Sequence, residues 1–102
     1  MQITSAGEGS VVLSVVGEID LSTADELQGA LDAALAAAGT TEVCVDLAEV
    51  GFLDSAGLRV LVSGHRAAEE RGLGFRVTGA QPRVRKVIEI TGLTATLGLD
   101  LD

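Results

Sequence analysis

The sequence predicts an α/β domain in which a mostly parallel sheet carries helices packed against it, in the element order ββαβαβα. Three observations predict it. Short runs rich in β-branched residues alternate with segments whose apolar residues recur every three to four positions, the pattern of strands joined by crossover helices. The two opening runs are separated by only a few small residues, too few for a crossover, so they pair antiparallel. The chain has 102 residues, enough for one domain with a moderate core that needs no metal or disulfide. Residues 1–102 are therefore read as a single domain.

Residues 1–4 and 11–17 flank the small turn formers Ser5, Ala6, Gly7, Glu8, Gly9 and Ser10, which predicts the opening hairpin. The run 11–16 is apolar almost throughout, as in a strand covered on both faces. Ser22-Thr23-Ala24-Asp25 has the form of a capping box, with Asp25 and Glu26 near the positive end of the helix dipole. Leu27, Leu31 and Leu35, with Ala24, Ala34 and Ala38, follow at helical spacing until Gly39 offers a C-terminal cap. Val43, Val45 and Leu47 alternate with Cys44 and Asp46 in a strand running toward Gly51-Phe52-Leu53-Asp54-Ser55. A second helix starts at once, with Leu58, Leu61, Val62, His65 and Ala68 on one face, Arg71 in its last turn and Gly72 at its end. Residues 74–77 read as a short strand. Pro82 opens a third helix, whose Val84, Val87, Ile88 and Thr91 share a face before Gly92 ends it.

Composition narrows the function. Seven basic against fifteen acidic side chains give a net charge of −8, so nucleic acid and anionic membrane surfaces are repelled and neither direct nucleic-acid binding nor membrane insertion is expected. The apolar stretches fall far short of the roughly 18 residues of a membrane span, and no basic region precedes an apolar one as in a secretory leader. Phe52 and Phe75 are the only aromatic residues, too few to build stacking platforms for bases. A single cysteine, Cys44, allows neither an internal disulfide nor a multi-cysteine metal site and suits a reducing cytoplasm. Residues 1–54 hold ten acidic and no basic side chains, so one face should be strongly negative. Arg83, Arg85 and Lys86 on the third helix read as a solvated face.

In open α/β sheets functional groups gather where strands end and helices begin. Asp54 and Ser55 occupy such a junction and offer oxygens to the first turn of the second helix, while Gly57 leaves room for another backbone to approach. Ser55, His65 and Asp20 or Asp54 include the residue types of a nucleophilic triad. Geometry opposes it, because His65 lies ten residues along the same helix, about 15 Å at the usual rise. Asp20 and Asp54 without a histidine make at best a loose magnesium site, and no glycine-rich phosphate loop with its lysine is present.

Gly17-Glu18-Ile19-Asp20 at one strand end, with Val45-Asp46-Leu47 leading into Phe52-Leu53-Asp54-Ser55-Ala56-Gly57-Leu58, resembles the STAS domain of the bacterial anti-sigma factor antagonists. Arg71-Gly72-Leu73 and Val87-Ile88-Glu89-Ile90-Thr91-Gly92-Leu93 extend the likeness over nearly the whole chain. The resemblance implies the STAS fold and a protein that is not an enzyme. Such a protein binds an anti-sigma factor that is itself a serine kinase, releases a sigma factor, and is switched off by phosphorylation. By this likeness the phosphorylated serine is Ser55, the family's aspartates fall on Asp20 and Asp54, and its glycine on Gly57. Ala56 departs from the usual serine or threonine. The expected contact set is Asp20, Asp54, Ser55, Ala56, Gly57, Leu58 and Arg59, with Arg59 one turn beyond Ser55 and placed to pair with a phosphate. ATP and magnesium belong to the kinase, a phosphatase restores the unmodified form, and the chain needs no cofactor. Two other readings are a STAS subunit of a lipid or other transport ATPase assembly, and a small sensor of anions or nucleotides at the helix N-terminus.

Overall fold

The computed structural model describes residues 1–92; Leu93, the last residue of the C-terminal motif, lies outside them. The elements are β1 (Gln2–Ala6), β2 (Ser10–Ile19), α1 (Ala24–Ala36), β3 (Glu42–Leu53), α2 (Ser55–Glu70), β4 (Gly74–Thr78) and α3 (Pro82–Ile90). The predicted order ββαβαβα stands. The strands lie side by side in chain order, with β1 antiparallel to β2 and the pairs β2–β3 and β3–β4 parallel. Joining parallel neighbours requires crossovers, and α1 and α2 supply them.

Leu27, Leu31 and Leu35 of α1, Leu58 and Leu61 of α2, and Val11, Leu13, Val15, Val43, Val45 and Val77 of the sheet close a common core, which Val84 and Ile88 of α3 join. The expectation that β2 is covered on both faces does not hold. Val11, Leu13 and Val15 are buried, whereas Val12 and Ser14 are half-buried and Val16 is exposed. The two helices pack together over one face, which leaves the alternate side chains of β2 open to water. Thr91 likewise falls outside the buried stripe of α3: it is the exposed C-cap, and its hydroxyl donates to the Ile88 carbonyl at 2.7 Å.

Two helix ends differ from expectation. The box from Ser22 to Asp25 does not form. Thr23 is the N-cap of α1 and makes no side-chain cap bond, because its hydroxyl turns back to the Glu18 carbonyl at 2.9 Å. At the other end α1 stops at Ala36 with Ala37 extended, so Ala38 lies beyond the helix and Gly39 serves the following turn. At the α2 terminus the glycine follows the sequence, whereas Arg71, expected in the last turn, is the C-cap just past Glu70. Gly72 has φ +69°, and the Gly72 and Leu73 amides donate to the Glu69 and Ala68 carbonyls at 3.1 and 2.9 Å, a Schellman closure that favours glycine in the left-handed position. Arg71 reaches across to donate to the Leu35 carbonyl at 3.2 Å, placing a cation at the negative end of α1.

Strand β3 runs six residues past Leu47, to Leu53. Its pairing with β2 shifts register between Ser14 and Val16 and again between Gly17 and Glu18, each time with one extra residue on β3. Such bulges re-aim a strand end. Here they bring Ile19 opposite Leu53, so the two strands finish together at the start of α2.

Candidate functional site

The site is built where β2 and β3 end side by side. The Asp54 amide donates to the Ile19 carbonyl at 3.2 Å, and Ile19 lies opposite Leu53, so Asp20 and Asp54 are each the first residue past a paired strand end. Each aspartate then organises the turn that follows it. Asp54 is the N-cap of α2: its Oδ1 accepts from the Ala56 and Gly57 amides at 2.9 and 3.0 Å, satisfying donors that a helix N-terminus otherwise leaves open. Asp54→Ala should therefore cost about 1 kcal/mol of stability and Asp54→Asn much less, since a side-chain amide oxygen also caps. Urea denaturation of the two variants checks this; equal losses would mean that the cap bonds contribute nothing.

Asp20 holds the β2–α1 turn. Its Oδ1 accepts from the Ser22 hydroxyl at 2.6 Å and from the Ser22 and Thr23 amides at 2.9 and 3.2 Å. The Asp20 amide in turn donates to the Thr23 hydroxyl oxygen at 2.9 Å. The Ser22 hydroxyl, against a smaller opposing effect of desolvation and with help from the two amides and the Thr23 hydroxyl, holds the carboxyl below its usual 3.8. As pH falls, the unfolded chain takes up this proton first. The stability gained is thus complete above about pH 3.8 and lost on descent to the lower folded-state value. Thermal melts of the wild type and Asp20→Asn should differ most above that range and converge below it; parallel curves would remove the carboxylate's charge from the account.

Ser55, the first residue of α2, is exposed. Ala56 is half-buried and Arg59 exposed. With Leu21, Asp25 and Val60 they line a groove of about 330 Å³ between the first turns of α1 and α2. Gly57 and Leu58 are placed differently from the rest of the expected contact set: both are buried. A Cβ on Gly57 would stand 2.5 Å from Ile19 Cγ2, 2.6 Å from Leu53 Cδ1 and 3.0 Å from the Ile19 carbonyl oxygen. The close backbone anticipated at Gly57 is the protein's own β2.

His65 sits away from this cluster. Its ring packs edge-on to Phe75 with centroids 6.0 Å apart, and Nε2 lies 3.7 Å from Glu69 Oε2. No group of three or more histidine, cysteine, aspartate or glutamate side chains suited to a metal ion occurs among the described residues. Cys44 is a residue of β3, as its alternation with Val43 and Val45 predicts; it is buried, with Sγ 3.4 Å from Thr78 Oγ1.

Two contact candidates were not visible in the sequence. Leu21 is 82 % and Phe52 43 % exposed, and both stand at the strand ends beside Asp20 and Asp54. Their only sequence signal is negative: Leu21 fits neither the strand period before it nor the helical period after it, and Phe52 falls between the buried Val50 and Leu53.

The sequence and the fold are similar to those of known proteins. The family described as Mlab, STAS domain, matches residues 3–99. The chain is 33 % identical over 81 residues to the anti-sigma-B factor antagonist of Staphylococcus epidermidis, covering 79 % of this chain and 74 % of the relative. It is 31 % identical over 94 residues to the antagonist of the same name from Listeria monocytogenes, covering 92 % and 82 %. Among solved structures, an anti-sigma factor antagonist from Mycobacterium paratuberculosis superposes with a TM-score of 0.82 at 35 % identity, covering 99 % of this chain and 87 % of that one.

Proposed function

Because the chain belongs to the STAS-domain family of anti-sigma factor antagonists, we propose that it works in the cytoplasm by partner switching. Unmodified, it binds an anti-sigma factor that is a serine kinase and so frees a sigma factor; phosphorylated on Ser55, it releases that kinase, and a phosphatase resets it. The observation that carries the reading is the placement of Ser55. It is an exposed hydroxyl at a helix start, on a rigid junction flanked by two hydrogen-bonded aspartates.

The contact face comprises Asp20, Leu21, Phe52, Asp54, Ser55, Ala56 and Arg59, with Gly57 and Leu58 seating α2 beneath it. Leu21 and Phe52 supply apolar contact, and the acidic surroundings fit a kinase with a basic rim whose association slows as salt rises. No helix among the described residues is long and apolar enough to cross a membrane. In this reaction ATP and its magnesium enter with the kinase. A free anion finds little at the N-terminus of α2, since the Ala56 and Gly57 amides are already taken by Asp54.

The test is incubation with the cognate kinase and magnesium-ATP, followed by mass spectrometry. Addition of one phosphate, located on Ser55 and absent from Ser55→Ala, is the expected result. Stable binding to a transport ATPase subunit with no phosphate transfer would favour the transport reading instead.

A further inference from the structure

Among the described residues the sheet has two edges, β1 and β4, and their side chains differ. Natural edges are blunted by charged side chains, proline, bulges or covering elements. β4 carries Arg76, ion-paired at 3.2 Å with Glu42 of β3. The five residues of β1, Gln2, Ile3, Thr4, Ser5 and Ala6, hold no charge and no proline. They pair with β2 without a register break. All but Ile3 are exposed.

Behind this edge the covering layer overhangs. Ala30, Ala33 and Ala34 of α1, with Ala37 just past its end, form the wall of a groove of about 470 Å³ whose floor includes Ile3 and Ser5. Val11 and Leu13 of β2 also line it, so the groove lies over the β1 side of the sheet, next to the edge of β1 that no strand of the described residues pairs.

We propose that β1 pairs antiparallel with β1 of a second copy of this chain, making a two-fold dimer whose two sheets run on into one another. A two-fold interface must be self-complementary, and β1 meets that condition about Thr4. Such a register sets Thr4 against its own mate, a favourable cross-strand pair, and Gln2 opposite Ala6. Ile3 then faces Ser5 on the groove side, and the alanine walls of the two α1 helices approach with little side-chain bulk between them. Charge selects this occupant. A chain of net charge −8 meets another copy most readily where neither has charge, and the one carboxylate on the groove, Glu26, lies at one end of the wall, so that the two-fold keeps the pair apart. A charged peptide would find no counter-charge along Gln2–Ala6. This proposal does not rest on the kinase reading, which uses the turn after β2 and the start of α2.

Sedimentation equilibrium over a dilution series reaching about 1 mM, at low and high salt, tests it. The expected mass tends to twice the 10.4 kDa of one chain, and high salt strengthens the association, whereas it weakens kinase binding. Thr4→Lys, which opposes like charges across the two-fold, should weaken the dimer about tenfold or more, and Thr4→Val should keep it. Ala33→Lys, on the groove wall, should weaken it as well; circular dichroism verifies that each variant is folded. A wild type that stays monomeric throughout, or a dimer indifferent to both lysine substitutions, overturns the proposal. So does protection of β1 amides by the kinase in place of a second copy.

Discussion

Ser55→Asp should raise the dissociation constant for the kinase at least about tenfold, equivalent to about 1.4 kcal/mol, while Ser55→Ala binds like the wild type and accepts no phosphate. A phosphoryl group brings about −1.5 to −2 charges and three strong acceptor oxygens. At this position the protein has little with which to absorb them. The Ala56 and Gly57 amides, which a phosphate at a helix start would otherwise recruit, already donate to Asp54 Oδ1 at 2.9 and 3.0 Å. Asp54 itself is a neighbouring negative charge, and Arg59, one turn along, is the cation within the contact set. The added charge therefore remains at the surface, where it meets the partner. Like charges or unpaired charges brought together in an interface cost several kcal/mol, so full phosphorylation should exceed the aspartate in effect. The fold should not follow. Negative charge in the first turn is favoured by the helix dipole by about 0.3–1 kcal/mol, so the Ser55→Asp melting temperature should equal or slightly exceed the wild-type value. Calorimetric titration with the kinase, paired with thermal melts, separates the two outcomes. Lost binding with retained stability is the expected pair of results; lost binding with a lower melting temperature would make the switch an unfolding event.

How far the site could be read from sequence depended on whether the governing interaction was local. The periodicities of α1 and α2 fixed Leu27, Leu31, Leu35, Leu58, Leu61 and Ala68 as interior because one helix face suffices to define them. The Asp54 cap is equally local, since donor and acceptor lie within three residues. The second half of β3 was hidden because its buried residues, Val45, Leu47, Val50 and Leu53, depart from strict alternation after Leu47. The two bulges against β2 each add a residue and displace the phase. The capping box at Ser22 failed for a related reason. Asp20 sits at the strand end and captures the Ser22 hydroxyl at 2.6 Å, so the residue that looked like the cap is drawn into the preceding turn. The open face of β2 could not be read from its apolar run, because Val12 and Val16 resemble Leu13 and Val15 until the helices are known to lie over one face. Leu21 and Phe52 became candidates only when exposure was known.

The largest stability effect should come from the one position in the motif that has no side chain. Gly57→Ala should destabilise the protein by about 1–3 kcal/mol, the usual cost of overpacking a closed core. For a domain of this size that lowers the melting temperature by roughly 4–8 °C per kcal/mol. The sign is informative because a solvent-exposed helical glycine behaves the other way: alanine there gains up to about 1 kcal/mol by restricting the unfolded chain and favouring the helix. Gly57 has ordinary helical backbone, with no positive φ to forbid alanine. Its objection is purely one of space, and contacts of 2.5 and 2.6 Å to Ile19 and Leu53 cannot be relieved by a surface side chain turning away. Gly29, on the exposed side of α1 with nothing within 4 Å of where a Cβ would stand, provides the control: Gly29→Ala should raise the melting temperature. Relief at Gly57 requires α2 to lift from the ends of β2 and β3, the same ends that Asp20 and Asp54 follow and that present Ser55. Kinase affinity should therefore fall together with stability in Gly57→Ala, in contrast to Ser55→Asp, where affinity falls alone. If Gly57→Ala is as stable as Gly29→Ala, the close approach of α2 to Ile19 is wrong, and with it the rigid junction on which the docking face depends.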